Sequence, residues 1–240
     1  MKVRNSTVLV TGANRGIGFA LVEQALEKGA AKVYATYRSE GNRSPLDKLG
    51  EKVVPVQLDL GDKSTIAKLA QEVSSLDILI NNAGIFTGTN VMEDTEEQLR
   101  NDMETNLFGV LAVTKTLLPA LRKDGPAAIV NISSIAGLAA MPEYGGYSAS
   151  KAAVHSITQS IRGTLKADGI SVHGVYPGPV ETRMTESVDL DKTPASTVAA
   201  NVFESMENGI EEIFPDAMSE QVGPLYQSSP KKLEESFAAF

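Results

Sequence analysis

Seven short apolar runs punctuate the chain: Thr7-Val8-Leu9-Val10, residues 33–37, residues 53–56, Ile78-Leu79-Ile80, residues 127–132, residues 172–176 and Ile213-Phe214. They are continuous rather than alternating, the pattern of strands covered on both faces. Between them lie longer stretches, 16–28, 63–73, 96–121, 148–167 and 195–206, whose apolar positions recur at helical spacing. Strand and helix in alternation predict an α/β fold, a doubly wound parallel sheet of about seven strands with helices on both faces. No linker, repeat or low-complexity tract interrupts the series, so residues 1–240 read as one domain, with 183–210 as a loop or lid region inside it. Pro55 falls within the third run and cannot donate to a ladder, which places that strand at an edge. The strand order 3-2-1-4-5-6-7 meets that demand.

Composition narrows the chemistry. The chain has no Cys and only two His, His155 and His173, so disulfides, thiolate nucleophiles and a transition-metal site are not expected. Both histidines read as structural. A net charge of −8 disfavours nucleic acid as a partner. No apolar stretch approaches the roughly 20 residues of a membrane span. Met1-Lys2-Val3-Arg4-Asn5-Ser6 contains no apolar leader, so a cytoplasmic protein is expected.

Candidate chemistry enters at Thr11-Gly12-Ala13-Asn14-Arg15-Gly16-Ile17-Gly18, between the first strand and the first helix. Glycines permit a tight turn and close backbone approach to a pyrophosphate, and a helix N-terminus offers free N–H groups and positive potential. Three glycines exceed what a plain strand–helix turn needs, since two of them weaken the helix start. The second strand ends at Tyr37, where a site for an unphosphorylated adenosine ribose usually places Asp or Glu. Tyr37 and Arg38 stand there instead, and Arg15 lies in the loop. Two guanidinium groups suit a 2′-phosphate, so NADP(H) is expected in preference to NAD(H), which stays possible. The competing reading makes Arg38 a plain surface charge beside Glu40.

Tyr147 is followed four residues later by Lys151, and Ser134 stands thirteen residues upstream. A phenol with a reference pKa of about 10 exchanges protons poorly at neutral pH. An ammonium at i+4 on the same helix face is expected to bring it down. The trio reads as an activated tyrosine with a hydroxyl partner, and beside a phosphate loop it points to hydride transfer. Tyr144 competes for the role, but its i+4 neighbour is Ser148, so it reads as a pocket wall. Ser133 competes with Ser134. Neighbours in an extended segment face opposite ways, so only one of them can point at Tyr147.

Together these residues resemble the short-chain dehydrogenase/reductase family in its single-domain form, over nearly the whole chain up to about Phe214. The loop 11–18 matches T-G-x-x-x-G-x-G, and Asn81-Asn82-Ala83-Gly84 matches the N-N-A-G after the fourth strand. Asn106 sits where the family keeps a helix asparagine. Ser134, Tyr147 and Lys151 match S…Y-x-x-x-K, and Pro177-Gly178-Pro179-Val180-Glu181-Thr182 matches P-G-x-V-x-T. Asp59-Leu60 falls where the family places an aspartate near the adenine. The resemblance implies a Rossmann-type fold and an NADP(H)-dependent oxidoreductase that reduces ketones or aldehydes, reversibly, to alcohols. Tyr147 would be general acid and base, with Lys151 lowering its pKa and binding the nicotinamide ribose. Ser134 would donate to the substrate carbonyl, and Asn106 would hold a water linking Lys151 to solvent. The implied cofactor site comprises Gly12, Asn14, Arg15, Gly16, Ile17, Gly18, Tyr37, Arg38, Asp59, Leu60, Asn82, Ala83, Gly84, Tyr147, Lys151, Pro177, Gly178, Val180 and Thr182. A homo-oligomer, dimer or tetramer, is implied as well.

The substrate pocket is expected from Ile85, Phe86, Ala136, Leu138, Met141, Tyr144 and Met184, an apolar set that suits a medium-sized carbonyl or alcohol better than a sugar. The polar stretch after Thr182 reads as a mobile lid. A 3-oxoacyl-thioester reductase acting on an acyl carrier protein is the narrower alternative, against which stands the lack of a dense basic patch. A nucleotide-sensing binding protein without turnover is the rival of another class; it would not need the complete Ser134, Tyr147, Lys151 set. The tail from Gln227, with Phe237 and Phe240 as its apolar tip, is read either as docked or as a frayed end.

Overall fold

The computed structural model describes residues 1–122 and 125–239; Phe240 of the tail lies outside the described residues. Seven strands form one sheet: β1 (Thr7–Val10), β2 (Lys32–Tyr37), β3 (Val53–Gln57), β4 (Ile78–Asn81), β5 (Ala127–Ile132), β6 (Ile170–Val175) and β7 (Glu212–Ile213). The order is β3-β2-β1-β4-β5-β6-β7 and every pairing is parallel. Among the described residues β3 pairs only with β2, with Pro55 opposite Ala35, so the proline does occupy an edge strand. The crossovers are α1 (Gly16–Glu27), α2 (Lys63–Glu72), α3 (Glu96–Met103), α4 (Val110–Leu121), α5 (Gly145–Leu165) and α6 (Ala195–Glu207). Residues Glu104–Gly109 form a π-helical segment that joins α3 to α4. The single helix expected over 96–121 is therefore a composite. The helix expected from 148 begins three residues earlier, so Tyr147 lies in its first turn.

Both faces of the sheet are buried, and the pleat sorts side chains between them. Val8 and Val10 pack with α1 and α6, through Leu21, Val22, Val202, Phe203 and Met206. Leu9, Leu79 and Ile129 point to the other face and meet Leu69 of α2 and Val113 and Leu117 of α4. Each such aliphatic, fully buried, is worth about 1.5–3 kcal/mol. A third apolar cluster at one end of the molecule gathers Ile135, Met141 and Tyr176 with two helices the sequence pattern did not indicate, α7 (Ala217–Ser228) and α8 (Pro230–Phe237). Leu233 and Phe237 are buried there, so the described part of the tail docks on its own domain.

Candidate active site

Parallel strands end at one edge of the sheet, and in an open α/β sheet the crevice at those carboxyl ends takes the ligand. Here β1, β4, β5 and β6 run out into one groove of about 500 Å³. Its first wall is the glycine loop. Gly12 (φ +63°) and Gly16 (φ +56°) hold left-handed backbone that other residues rarely adopt. Arg15 precedes α1 without a side-chain cap, and the first turn of α1 holds no acidic residue. Its leading N–H groups, at Gly16, Ile17 and Gly18, have no intrahelical partner and line the groove beside Asn14. The Thr11 hydroxyl accepts from Asn82 N and Ala83 N (2.9 Å each), while Asn82 Nδ2 donates to Thr11 O (2.9 Å) and Gly12 O (3.2 Å). The N-N-A-G turn thereby locks the loop to the end of β4.

At one end of the groove stand Arg15, Arg38 and Asn42, with Leu58, Asp59 and Leu60 closing the side. Tyr37 does not line the groove with them. Its ring is buried in the core among α1 and strand residues, and its hydroxyl donates to Glu40 Oε1 (2.8 Å). As the last residue of β2 it points into the layer, and only Arg38, one step on, turns outward.

At the other end are Ser134, Tyr147 and Lys151, with Gly84, Pro177, Gly178, Val180, Thr182 and Met184. The adjacent serines take different partners. Both line the groove, but the Ser133 hydroxyl donates to Lys151 O (2.9 Å), tying β5 to α5, whereas the Ser134 hydroxyl reaches Pro177 O (3.4 Å) and lies close enough to the Tyr147 phenol to lower its pKa. Lys151 Nζ donates to Ile132 O (2.9 Å) and lies 5.6 Å from the centre of the Tyr147 ring. Asp216, the N-cap of α7, accepts from Ser219 N with one carboxylate oxygen and from Gly178 N with the other (2.9 Å each), fixing the loop after β6. The base of the 181–192 loop is pinned by a bridge between Val180 and Thr193.

The protonation energetics differ from the expectation drawn from spacing. Burial pushes the Tyr147 phenol up to about 12, with the Asp102 charge acting the same way, and only the Ser134 hydrogen bond opposes them. Burial also drops the Lys151 ammonium to about 8, against the pull of Asp102. Desolvation of the pair thus outweighs any mutual tuning, and at neutral pH the phenol stands protonated beside an ammonium.

Asn106 lies in the π segment and is buried. Its Oδ1 accepts from Ile85 N (2.8 Å), and its Nδ2 donates to Ile85 O (2.9 Å) and Ser150 Oγ (2.9 Å). Both amide hydrogens are committed, so the side chain chiefly anchors the loop that carries Ile85. Phe86 meets the rings of Tyr147 (5.5 Å) and Tyr144 (5.1 Å) edge-on. Of the pocket set, Ile85 and Met184 line the groove and Phe86 and Tyr144 surround the phenol. Ala136, Leu138 and Met141 belong to the apolar cluster against which Tyr144 and Tyr147 also pack. Asn42, Leu58, Thr105, Ile132, Arg183 and Thr185 also line the groove and carry no motif that would have marked them.

A family model described as short chain dehydrogenase matches residues 6–193. The chain belongs to the short-chain dehydrogenase/reductase family. This family member is 34% identical over 204 residues to a 3-oxoacyl-[acyl-carrier-protein] reductase of Vibrio cholerae serotype O1, covering 83% of each chain. Among solved structures it resembles a short chain dehydrogenase from Burkholderia cenocepacia in complex with NADP, with a TM-score of 0.92, 33% identity and 99% of both chains covered. A short chain dehydrogenase/reductase from Burkholderia phymatum in complex with NAD shares its fold, with a TM-score of 0.85 and 24% identity over 95% of each chain. Among the described residues no helix is long and apolar enough to cross a membrane.

Proposed function

We propose that this short-chain dehydrogenase/reductase is an NADP(H)-dependent reductase of medium-sized, largely apolar ketones or aldehydes. The observation that carries the reading is one groove with free helix N–H groups and two arginines at one end and Ser134, Tyr147 and Lys151 at the other. The pyrophosphate would rest on residues 12–18, the 2′-phosphate on Arg15 and Arg38, and the nicotinamide against Val180 and Thr182. A bound reduced nicotinamide supplies hydride. The protein's part is the proton: Tyr147, held protonated by burial, gives it to the carbonyl oxygen while Ser134 donates a second hydrogen bond as charge grows there. Lys151 sets the local positive charge, and in the reverse direction Tyr147 takes the proton back.

Phe86, Tyr144, Ile85 and Met184 surround the reacting end, and they favour an apolar carbonyl substituent. Identity to curated 3-oxoacyl-[acyl-carrier-protein] reductases supports a second reading, reduction of a 3-oxoacyl thioester. The exposed Phe108 borders a hollow of about 540 Å³ on the outer face of α3, lined also by Leu99 and Met103, and we infer a homo-oligomer through that face. Purified protein with NADPH and a panel of apolar ketones, aldehydes and 3-oxoacyl thioesters tests the function. NADPH oxidation that needs a carbonyl and disappears in Tyr147→Phe supports it. No turnover with intact NADPH binding would instead favour a nucleotide-sensing role.

A further inference from the structure

Asp102, on α3, is fully buried and makes no hydrogen bond to the phenol or the ammonium whose protons it influences. Its Oδ1 accepts from Thr87 N (3.2 Å) and Thr87 Oγ1 (2.9 Å). Its Oδ2 has no hydrogen-bond partner. An asparagine would hold Thr87 equally well through its amide oxygen, without the cost of burying a charge. The charge therefore calls for a use. Two compensating features face it. Oδ2 lies 3.5 Å from where a Cβ on Gly146 would be, over the first turn of α5, and the unpartnered Oδ2 of Asp94 lies 3.3 Å from the same point. That turn has no side-chain cap and no acidic residue of its own, and a helix N-terminus favours negative charge. The second feature is Lys151, one turn further along α5.

The hydrogen bonds of Asp102 also have a consequence for shape. Gln98 Nε2 donates to Thr87 O (2.9 Å) and Thr87 Oγ1 lies 3.1 Å from Gln98 O, so α3 grips Thr87 as Asn106 grips Ile85. With residues 85 and 87 both held to the helix, Phe86 between them is presented to the Tyr147 ring.

We propose that Asp102 is a positioning residue for Tyr147 and Lys151: it clasps the segment that seats Phe86 on the phenol, and it lays a fixed negative charge against the start of the helix that presents both groups. The inference rests on the catalytic reading of this site. Three charged or titratable groups face Asp102: Asp94 from the preceding loop and Tyr147 and Lys151 from α5. Burial and Asp94 push its carboxyl up, and the Thr87 hydrogen bonds and Lys151 pull it down.

Asp102→Asn keeps the clasp and removes the charge; Asp102→Ala removes both. In protein labelled with 13C at lysine Cε, with Lys151 assigned from Lys151→Arg, the Lys151 titration midpoint falls by roughly one unit in Asp102→Asn. In turnover assays kcat falls in Asp102→Asn while KM for the carbonyl stays within about twofold, and Asp102→Ala raises KM as well. A Lys151 midpoint unmoved in Asp102→Asn overturns the proposal, as do two variants with the same kcat and KM. The titration needs no turnover, so an inactive parent protein with the expected midpoint shift would reject the catalytic reading while leaving the charge placement standing.

Discussion

Gly18 and Gly163 are both helical glycines, and the same substitution to alanine should change stability in opposite directions at the two positions. A Cβ at Gly18 would sit 2.3 Å from Gly12 O and 2.5 Å from Asn82 Nδ2, inside the 3.0 Å that real side chains do not breach. The obstacle is backbone and a committed amide, so nothing swings aside. Clearing it requires the 12–18 loop to retreat by at least about 0.7 Å, which strains or breaks the bonds from Asn82 Nδ2 to Thr11 O and Gly12 O. Overpacking of this kind costs about 1–3 kcal/mol and each lost hydrogen bond about 1 kcal/mol, against at most about 1 kcal/mol of improved helix propensity. The net for Gly18→Ala is a loss of about 2–4 kcal/mol, or roughly 10 °C in Tm for a chain of this length. Gly163 has nothing within 4 Å of its Cβ position, so Gly163→Ala should gain about 0.5–1 kcal/mol and roughly 2 °C. Thermal and urea melts of the three proteins, with NADPH titrated by calorimetry, decide the matter. NADPH affinity should fall roughly tenfold or more in Gly18→Ala only. If Gly18→Ala melts within a degree of the parent, or binds NADPH as well, the tight approach of loop and turn is wrong.

Tyr147→Phe should lose carbonyl reduction by about 10²–10⁴-fold with NADPH affinity within about threefold, checked by steady-state rates and cofactor fluorescence. Lys151 carries a folded-state pKa of about 8, below its ordinary 10.5, so the unfolded chain holds more protons between those values and stability from this group rises with pH across that window. The stability of Lys151→Met relative to the parent should therefore be most favourable at pH 7 and fall by on the order of 3 kcal/mol toward pH 10.5; a difference in urea midpoints that does not change with pH would contradict this. Arg38→Asp should weaken NADPH roughly 10–100-fold and leave NADH nearly unchanged in competition titrations. Asp216→Ala should cost about 2 kcal/mol in urea unfolding, from the lost α7 cap and the freed Gly178 N–H, and raise KM for NADPH.

The sheet was legible because its strands are short apolar runs, most of them buried on both faces, and because Pro55 marks the edge. Gly12, Gly16, Ser134, Tyr147 and Lys151 were legible because their chemistry is bound to short spacings. What escaped depends on contacts far apart in the chain. Tyr37 stands at the end of β2, and strand parity, which the motif does not report, turns its ring into the core. The pKa directions at Tyr147 and Lys151 follow from burial under residues distant in sequence, which a four-residue spacing cannot report. The capping pair Asp216 and Ser219 could have announced α7, but Gly223 and Pro224 within the following residues disguise it. Asp102 looks in sequence like one more polar residue of an exposed helix face; the loop at Thr87 and the first turn of α5 cover it.

The wide turn at Glu104–Gly109 gives one continuous rod two independent phases. An ordinary α-helix advances each residue by about 100° and so commits a single stripe to its surroundings over its full length. The π segment, closing its rings at i+5, slips that phase midway. Upstream, the stripe of Gln98, Asp102 and Asn106 serves the groove; downstream, Val113, Leu117 and Leu121 serve the sheet. A one-residue deletion inside the segment would restore regular winding, yet it would also rotate one stripe away from its client. The irregular turn therefore lets one rod aim one stripe at the loop beside the groove and another at the sheet.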